Sequence, residues 1–157
     1  MDARAGLLAG VLLDFDRRPA GGVLPPTHGE IDIFDNQGTI PNVQVRGMHS
    51  NSWGTCKPNK TFYQEGNTGV DTTQAFHTYS VKWTRDRVCW YFDEAQESCR
   101  ALDSAVVDAA SRPDSRTVNQ DMNLNIKSSC GGCTGGCTAS SPSVILTQVD
   151  WVRVWQE

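Results

Sequence analysis

Residues 76–92 read Phe76-His77-Thr78-Tyr79-Ser80-Val81-Lys82-Trp83, then Thr84-Arg85-Asp86-Arg87, then Val88-Cys89-Trp90-Tyr91-Phe92. The opening run alternates, with His77, Tyr79, Val81 and Trp83 on one side and Thr78, Ser80 and Lys82 on the other. Successive side chains of a strand point to opposite faces, so this is the pattern of a half-buried strand. Thr84–Arg87 turns the chain, Val88–Phe92 returns along it, and Asp93-Glu94 closes the return. An alternating apolar face is usually buried, so His77, Tyr79, Val81 and Trp83 are read as core.

The same grammar runs outward from this hairpin. Upstream, Leu7–Phe15 is an apolar run read as a strand; Asp2, Asp14 and Asp16 argue against a signal-peptide h-region. His28–Phe34 and Asn42–Ser50 are further strands, separated from their neighbours by Gly/Pro-rich stretches, and Cys56–Asp71 reads as a long polar loop. Downstream, residues 103–121 are polar and ambiguous. Gln120–Ser128 contains a strand, Cys130–Ser143 is a Gly/Cys/Ser/Thr loop, and Val144–Trp155 alternates as a final strand. No segment keeps a helical period. Short strands between turns predict an all-β, antiparallel β-sandwich or barrel. With 157 residues, no repeat and no change of composition, residues 1–157 are read as one domain.

Charge and cysteine content narrow the function classes. The net charge is −4 with both signs scattered, so no basic stripe offers a nucleic-acid surface. No apolar run approaches the ~18–20 residues of a membrane helix. Neither nucleic acid nor membrane is therefore an expected partner, and a monomer is expected. Six cysteines, an even number, suggest disulfides and an extracellular or secretory compartment, although no signal peptide is evident. The sequon Asn59-Lys60-Thr61 points the same way. Cys89 and Cys99 flank the hairpin end and can pair if their Cα atoms come within ~7 Å. Cys130, Cys133 and Cys137 have the close spacing of a metal site, but zinc needs four ligands and no second Cys-x-x-Cys exists. Disulfides within that loop, or from it to Cys56, are the preferred reading.

The acidic strand carries the chemistry. It reads Gly29-Glu30-Ile31-Asp32-Ile33-Phe34-Asp35. Ile31 and Ile33 can face a core while Glu30 and Asp32 face away. Like charges side by side repel and raise one pKa, which folding does not require. Paired carboxyl groups are what glycosidic bond cleavage requires. Asp35, five positions after Glu30, falls on the wrong face of a regular strand. A β-bulge absorbing Ile33 or Phe34 would return it; a polar turn over Asp35-Asn36-Gln37-Gly38 is the competing reading.

Gly29-Glu30-Ile31-Asp32-Ile33 resembles the signature of glycoside hydrolase family 16, the family of endo-β-1,3(4)-glucanases, agarases, carrageenases and xyloglucan transglycosylases. Three more stretches resemble the family in order: Phe76–Trp83 with Trp90-Tyr91-Phe92-Asp93, then Asn123-Leu124-Asn125 with Gly131-Gly132, then Val149-Asp150-Trp151-Val152-Arg153-Val154-Trp155. The resemblance implies a concanavalin A-like jelly roll of two curved antiparallel sheets, with a glycan in a cleft on the concave face. It implies Glu30 as nucleophile, Asp32 as assisting acid and Asp35 as acid/base, in the bulged form of the motif. It places His49 and Trp53 among cleft-lining residues. Trp53 is an aromatic able to stack on a sugar. Asn123 and Asn125 share a face and offer donors and acceptors to hydroxyls.

Two departures accompany the resemblance. The family usually has Glu where this chain has Asp35, and one missing methylene withdraws the carboxyl by roughly 1–1.5 Å. The strands that open the family domain are missing, which predicts a jelly roll shortened at its N-terminus with an exposed strand edge. Some family members bind calcium on the outer face. Asp150 is the candidate ligand here, but six to eight oxygens are needed and a plain surface carboxylate is preferred. No cofactor is expected. The expected function is retaining endo-hydrolysis of a β-1,3- or β-1,3/1,4-glucan, with activity weakened by Asp35 and a polysaccharide as the partner. A xyloglucan-type transglycosylase and a non-catalytic β-glucan-binding module are the alternatives.

Overall fold

The computed structural model describes residues 7–14, 29–38, 40–50, 60–84, 86–102, 123–130 and 146–155. Eight strands are assigned there: β1 (Leu7–Asp14), β2 (Gly29–Gln37), β3 (Val43–Ser50), β4 (Lys60–Asn67), β5 (Tyr79–Trp83), β6 (Arg87–Phe92), β7 (Ala95–Ala101) and β8 (Asn123–Cys130). They form two sheets, ordered β4-β3-β2-β1-β8 and β5-β6-β7. Every pairing is antiparallel. The expected all-β antiparallel architecture is the one observed.

The aromatic hairpin forms as its alternation predicts, with Val81 opposite Trp90 and Trp83 opposite Val88. Ile31, Met48, Val88 and Trp90 make the centre of the core, and Val81, Trp83 and Leu102 pack against it. Ile31 and Met48 come from the large sheet, Val88 and Trp90 from the small one. Each such side chain removed from water contributes roughly 1.5–3 kcal/mol. Tyr79 packs on Phe92, with ring centroids 5.5 Å apart. His77 lies 4.9 Å from Phe92. The face assigned to the core is packed along its length.

Two sequence expectations are corrected and one strand is added. Residues 60–67 are strand β4, inside the stretch read as a polar loop. Phe62 and Tyr63 are adjacent rather than alternating, so no period marked the strand; β3 supplies its order by pairing. Asp93-Glu94 ends the returning strand as expected and turns the chain into a further strand, β7, for which the sequence offered no reading. Both residues adopt positive φ, 45° and 70°, the geometry of a type I′ hairpin turn, which Asn-Gly or Asp-Gly usually announces. Finally, the described part of Val144–Trp155 carries no strand, and Leu146, Val149, Trp151, Val152, Val154 and Trp155 are exposed there. Alternation supplies two faces but not a hydrogen-bonding neighbour, and no described strand pairs with this segment. Thr147 shares a hydroxyl hydrogen bond with Ser128, and the Arg153 guanidinium lies 4.9 Å over the Trp151 ring.

Strand β3 buries its polar residues. Gln44 and Arg46 are 0% and 1% exposed, while Val43 and Val45 are only half-buried. Gln44, Arg46 and Met48 alternate onto the side that meets the small sheet. Arg46 pairs there with Glu97 of β7, joining the sheets. Gly66 on β4 leaves the room: a Cβ at that position would collide with the Arg46 guanidinium. Across β6 and β7, Cys89 and Cys99 face each other and form a disulfide, with Cα atoms 4.0 Å apart.

Glu97→Gln leaves a buried guanidinium without its counter-charge and is expected to lower stability by roughly 3 kcal/mol in urea denaturation; Gly66→Ala should act in the same direction. A second prediction concerns pH. Asp93 accepts the Thr78 N–H at 2.9 Å and meets His77 Nδ1 at 2.8 Å. Burial raises its pKa, but these two contacts outweigh it and hold the carboxyl below its ordinary 3.8. As pH falls the unfolded chain therefore takes up the proton first. The Asp93 contribution is full above its ordinary value and is lost as pH drops through the depressed one. Denaturation midpoints measured from pH 6 to about pH 2 should show this acid loss, and Asp93→Asn should flatten it.

Candidate active site

The register of β2 against both neighbours locates the acidic residues. Against β1, Leu12 pairs with Asp32 and Val11 with Phe34, so Ile33 has no opposite number. Against β3, Asp32 pairs with Gly47 and Asp35 with Val45, so Ile33 and Phe34 together face Arg46. Two residues opposite one is a β-bulge. The irregularity anticipated from the carboxylate spacing is present, and the polar-turn reading is excluded because β2 continues to Gln37.

Directly paired residues of neighbouring strands share a face. Positions 30, 32 and 35 pair with Asp14, Leu12 and Gly10 of β1 and with His49, Gly47 and Val45 of β3. Each set keeps one parity, so the three acidic positions fall on one face of the large sheet. Without the inserted residue, Asp35 would pair out of phase. Ile31, on the opposite face, is fully buried beneath the small sheet. The acids thus occupy the face that the small sheet leaves uncovered.

Three rows cross that face. One runs His49, Glu30, Asp14, Asn123; the next Tyr63, Gly47, Asp32, Leu12, Asn125; the third Glu65, Val45, Asp35, Gly10, Lys127. Neighbouring positions in a row are about 4.8 Å apart. His49 is therefore directly beside Glu30, and Asn123 and Asn125 stand two strands from Glu30 and Asp32. Asn125 is exposed. Trp53 lies outside the described residues. Asp150 lies in the exposed 146–155 segment, and among the described residues no group of three His, Cys, Asp or Glu side chains is placed to hold a metal ion. Sequence reading did not pick out Gly10 and Gly47, which sit beside Asp35 and Asp32. Glycine within a strand often marks close approach by a ligand, but the signal emerges only once the register is known.

Asp32 is 7% exposed and Asp35 is half-buried. Behind the bulge, Phe34 packs on Tyr79 with centroids 4.0 Å apart. Burial pushes the Tyr79 phenol up to about 12, against the lowering effect of its Thr72 hydrogen bond, so it stays neutral. Paired carboxyl groups are what acid–base and nucleophilic cleavage of an acetal requires.

The sequence profile of glycosyl hydrolases family 16 matches residues 1–139. The chain belongs to that family. It is 28% identical over 138 residues to the endo-1,3-1,4-beta-glycanase EglC of Rhizobium meliloti (strain 1021), covering 87% of this chain and 25% of that protein. It is 26% identical over 145 residues to a beta-glucanase of Rhodothermus marinus, covering 90% of this chain and 49% of that one. Among solved structures, the laminarinase catalytic domain of Thermotoga maritima MSB8 superposes with a TM-score of 0.68 at 20% identity, over 88% of this chain and 53% of that chain. The endo-beta-1,3-glucanase of Pyrococcus furiosus gives 0.67 at 21%, over 88% and 51%. These superpositions carry the fold, the β-jelly roll. The chain spans about half the length of the Rhodothermus marinus relative and about a quarter of the Rhizobium meliloti one.

Proposed function

We propose that this chain performs retaining endo-hydrolysis of β-glucosidic bonds in a β-1,3- or β-1,3/1,4-glucan. The observation that carries the reading is the bulge in β2, which sets positions 30, 32 and 35 in phase on the face of the large sheet opposite Ile31. Family membership and the glucanase names of the relatives support the substrate class.

Glu30, as a carboxylate, attacks the anomeric carbon while Asp35 gives its proton to the departing glycosidic oxygen. The C–O bond to the leaving sugar breaks as the bond to Glu30 forms. Asp35, now a base, takes a proton from water, and that water displaces Glu30 with the original configuration restored. Asp32, in phase between them, tunes both ionisations. The family resemblance supports assigning His49, Trp53, Asn123 and Asn125 to glycan binding. Positions 30 and 35 are four ladder steps apart, roughly 13 Å of strand at about 3.3 Å per step, so the two side chains must converge to reach the ~5–5.5 Å separation of a retaining pair. The shorter Asp35 side chain works against that convergence. The Cys89–Cys99 disulfide supports action in an oxidising, extracellular setting.

Reducing-end release from laminarin, lichenan, xyloglucan and agarose tests the reading. Hydrolysis is expected on the first two, with the β-anomer formed first by NMR. Glu30→Gln should abolish it. Asp35→Glu should raise kcat, by up to about 10²-fold for an error of ~1 Å removed. Binding of laminarin with no hydrolysis, before and after Asp35→Glu, would instead make the chain a glucan-binding module.

A further inference from the structure

An inserted residue breaks the hydrogen-bond ladder and leaves backbone groups without strand partners. Buried carbonyls in that state are costly unless another donor reaches them. At the β2 bulge two consecutive carbonyls receive side-chain donors. The Trp90 indole N–H donates to Asp32 O at 2.8 Å. The Gln44 amide donates to Ile33 O at 3.2 Å. Both donor residues are 0% exposed. One comes from β6 of the small sheet and the other from the neighbouring strand β3.

Gln44 makes the case sharper. Among the described residues its Oε1 is buried with no hydrogen-bond partner. A buried amide used by half is a poorer core residue than Met or Leu, so packing does not account for it. Its N–H, held on the carbonyl inside the bulge, does. Position 44 reads from sequence as an ordinary polar strand residue, and only the fold brings it to Ile33.

We propose that Gln44 and Trp90 are positioning residues that lock the β2 bulge in place and thereby set the face to which Asp35 belongs. The consequence for catalysis rests on the reading of Glu30 and Asp35 as the reacting pair. Because the side-chain period of a strand is two, a bulge that slides or straightens by one residue sends Asp35 to the opposite face. The two donors fix the irregularity between Asp32 and Asp35, where it serves the acid. Phe34, packed on Tyr79, holds the same residues from the small sheet.

The test uses the 157-residue chain with Gln44→Met, which keeps length and removes the donor, because Trp90→Phe also removes core volume. Amide hydrogen exchange at Phe34 and Asp35 should speed by about tenfold or more, with Ile31 unchanged, since only a local opening is eased. The kcat on laminarin should fall by about 10²-fold with KM within about threefold. Gln44→Glu supplies a donor only when its carboxyl is protonated, so its kcat relative to the parent chain should recover as pH falls. Exchange at Phe34 and Asp35 no faster than in the parent chain would overturn the proposal. Faster exchange with kcat unchanged would overturn the link to Asp35. If the parent chain does not cleave laminarin, or Glu30→Gln cleaves it equally well, the catalytic reading fails, and the exchange result alone decides whether Gln44 holds the bulge.

Discussion

One inserted residue in β2 governs the phase of everything on the large sheet. Upstream of it, Ile31 faces the small sheet and joins Met48, Val88 and Trp90 in the core. Downstream, Asn36 takes the buried side and donates to Val43 O at 2.9 Å, closing the turn into β3. Between them the parity changes once. That single change lets an odd-numbered Asp35 join even-numbered positions 30 and 32 while both flanks of the strand keep their buried residues inside. A regular strand cannot meet both demands with this sequence: with Ile31 inside, Asp35 would be driven under the small sheet and Asn36 would leave its buried contacts.

The interface between the sheets is correspondingly more polar than a simple apolar sandwich. Arg46, Gln44 and the Trp90 N–H all act across or beside it. Their energetics differ from those of Ile31 or Val88. Burial of an apolar side chain is non-directional, whereas these groups contribute only in one arrangement and are costly in any other. Such contacts define a register. The apolar centre supplies most of the cohesion, and the polar set decides which of several closely related strand alignments is occupied.

Much of this was legible in residue order, and the limits follow from physics. The β5–β6 hairpin announced itself because its apolar face and its turn agree. The bulge was legible only as one of two readings: three acids whose spacing fits no regular strand left a bulge or a polar turn, and the pairing decides for the bulge. Strand β4 was hidden because an edge strand takes its order from its neighbour and needs no strong period of its own. Strand β7 was hidden because Asp93-Glu94 adopts a conformation usually reserved for Gly or Asn. The 146–155 segment shows the reverse failure, an alternating pattern with no described strand beside it. Gln44, Gly10 and Gly47 carry no local signal at all. Their placement is a product of pairing between distant parts of the chain, and family resemblance identified the acids without identifying what holds them.

The central claim is that the bulge presents Glu30 as a nucleophile to a glucan, in partnership with Asp35. Mass spectrometry of the chain after incubation with a 2-deoxy-2-fluoro-β-glucosyl inactivator tests it most directly, because slowed deglycosylation traps the covalent intermediate of a retaining enzyme. The account predicts one added glycosyl unit, on the peptide containing Glu30. An adduct on a different residue, or none from a chain that cleaves laminarin, would contradict it.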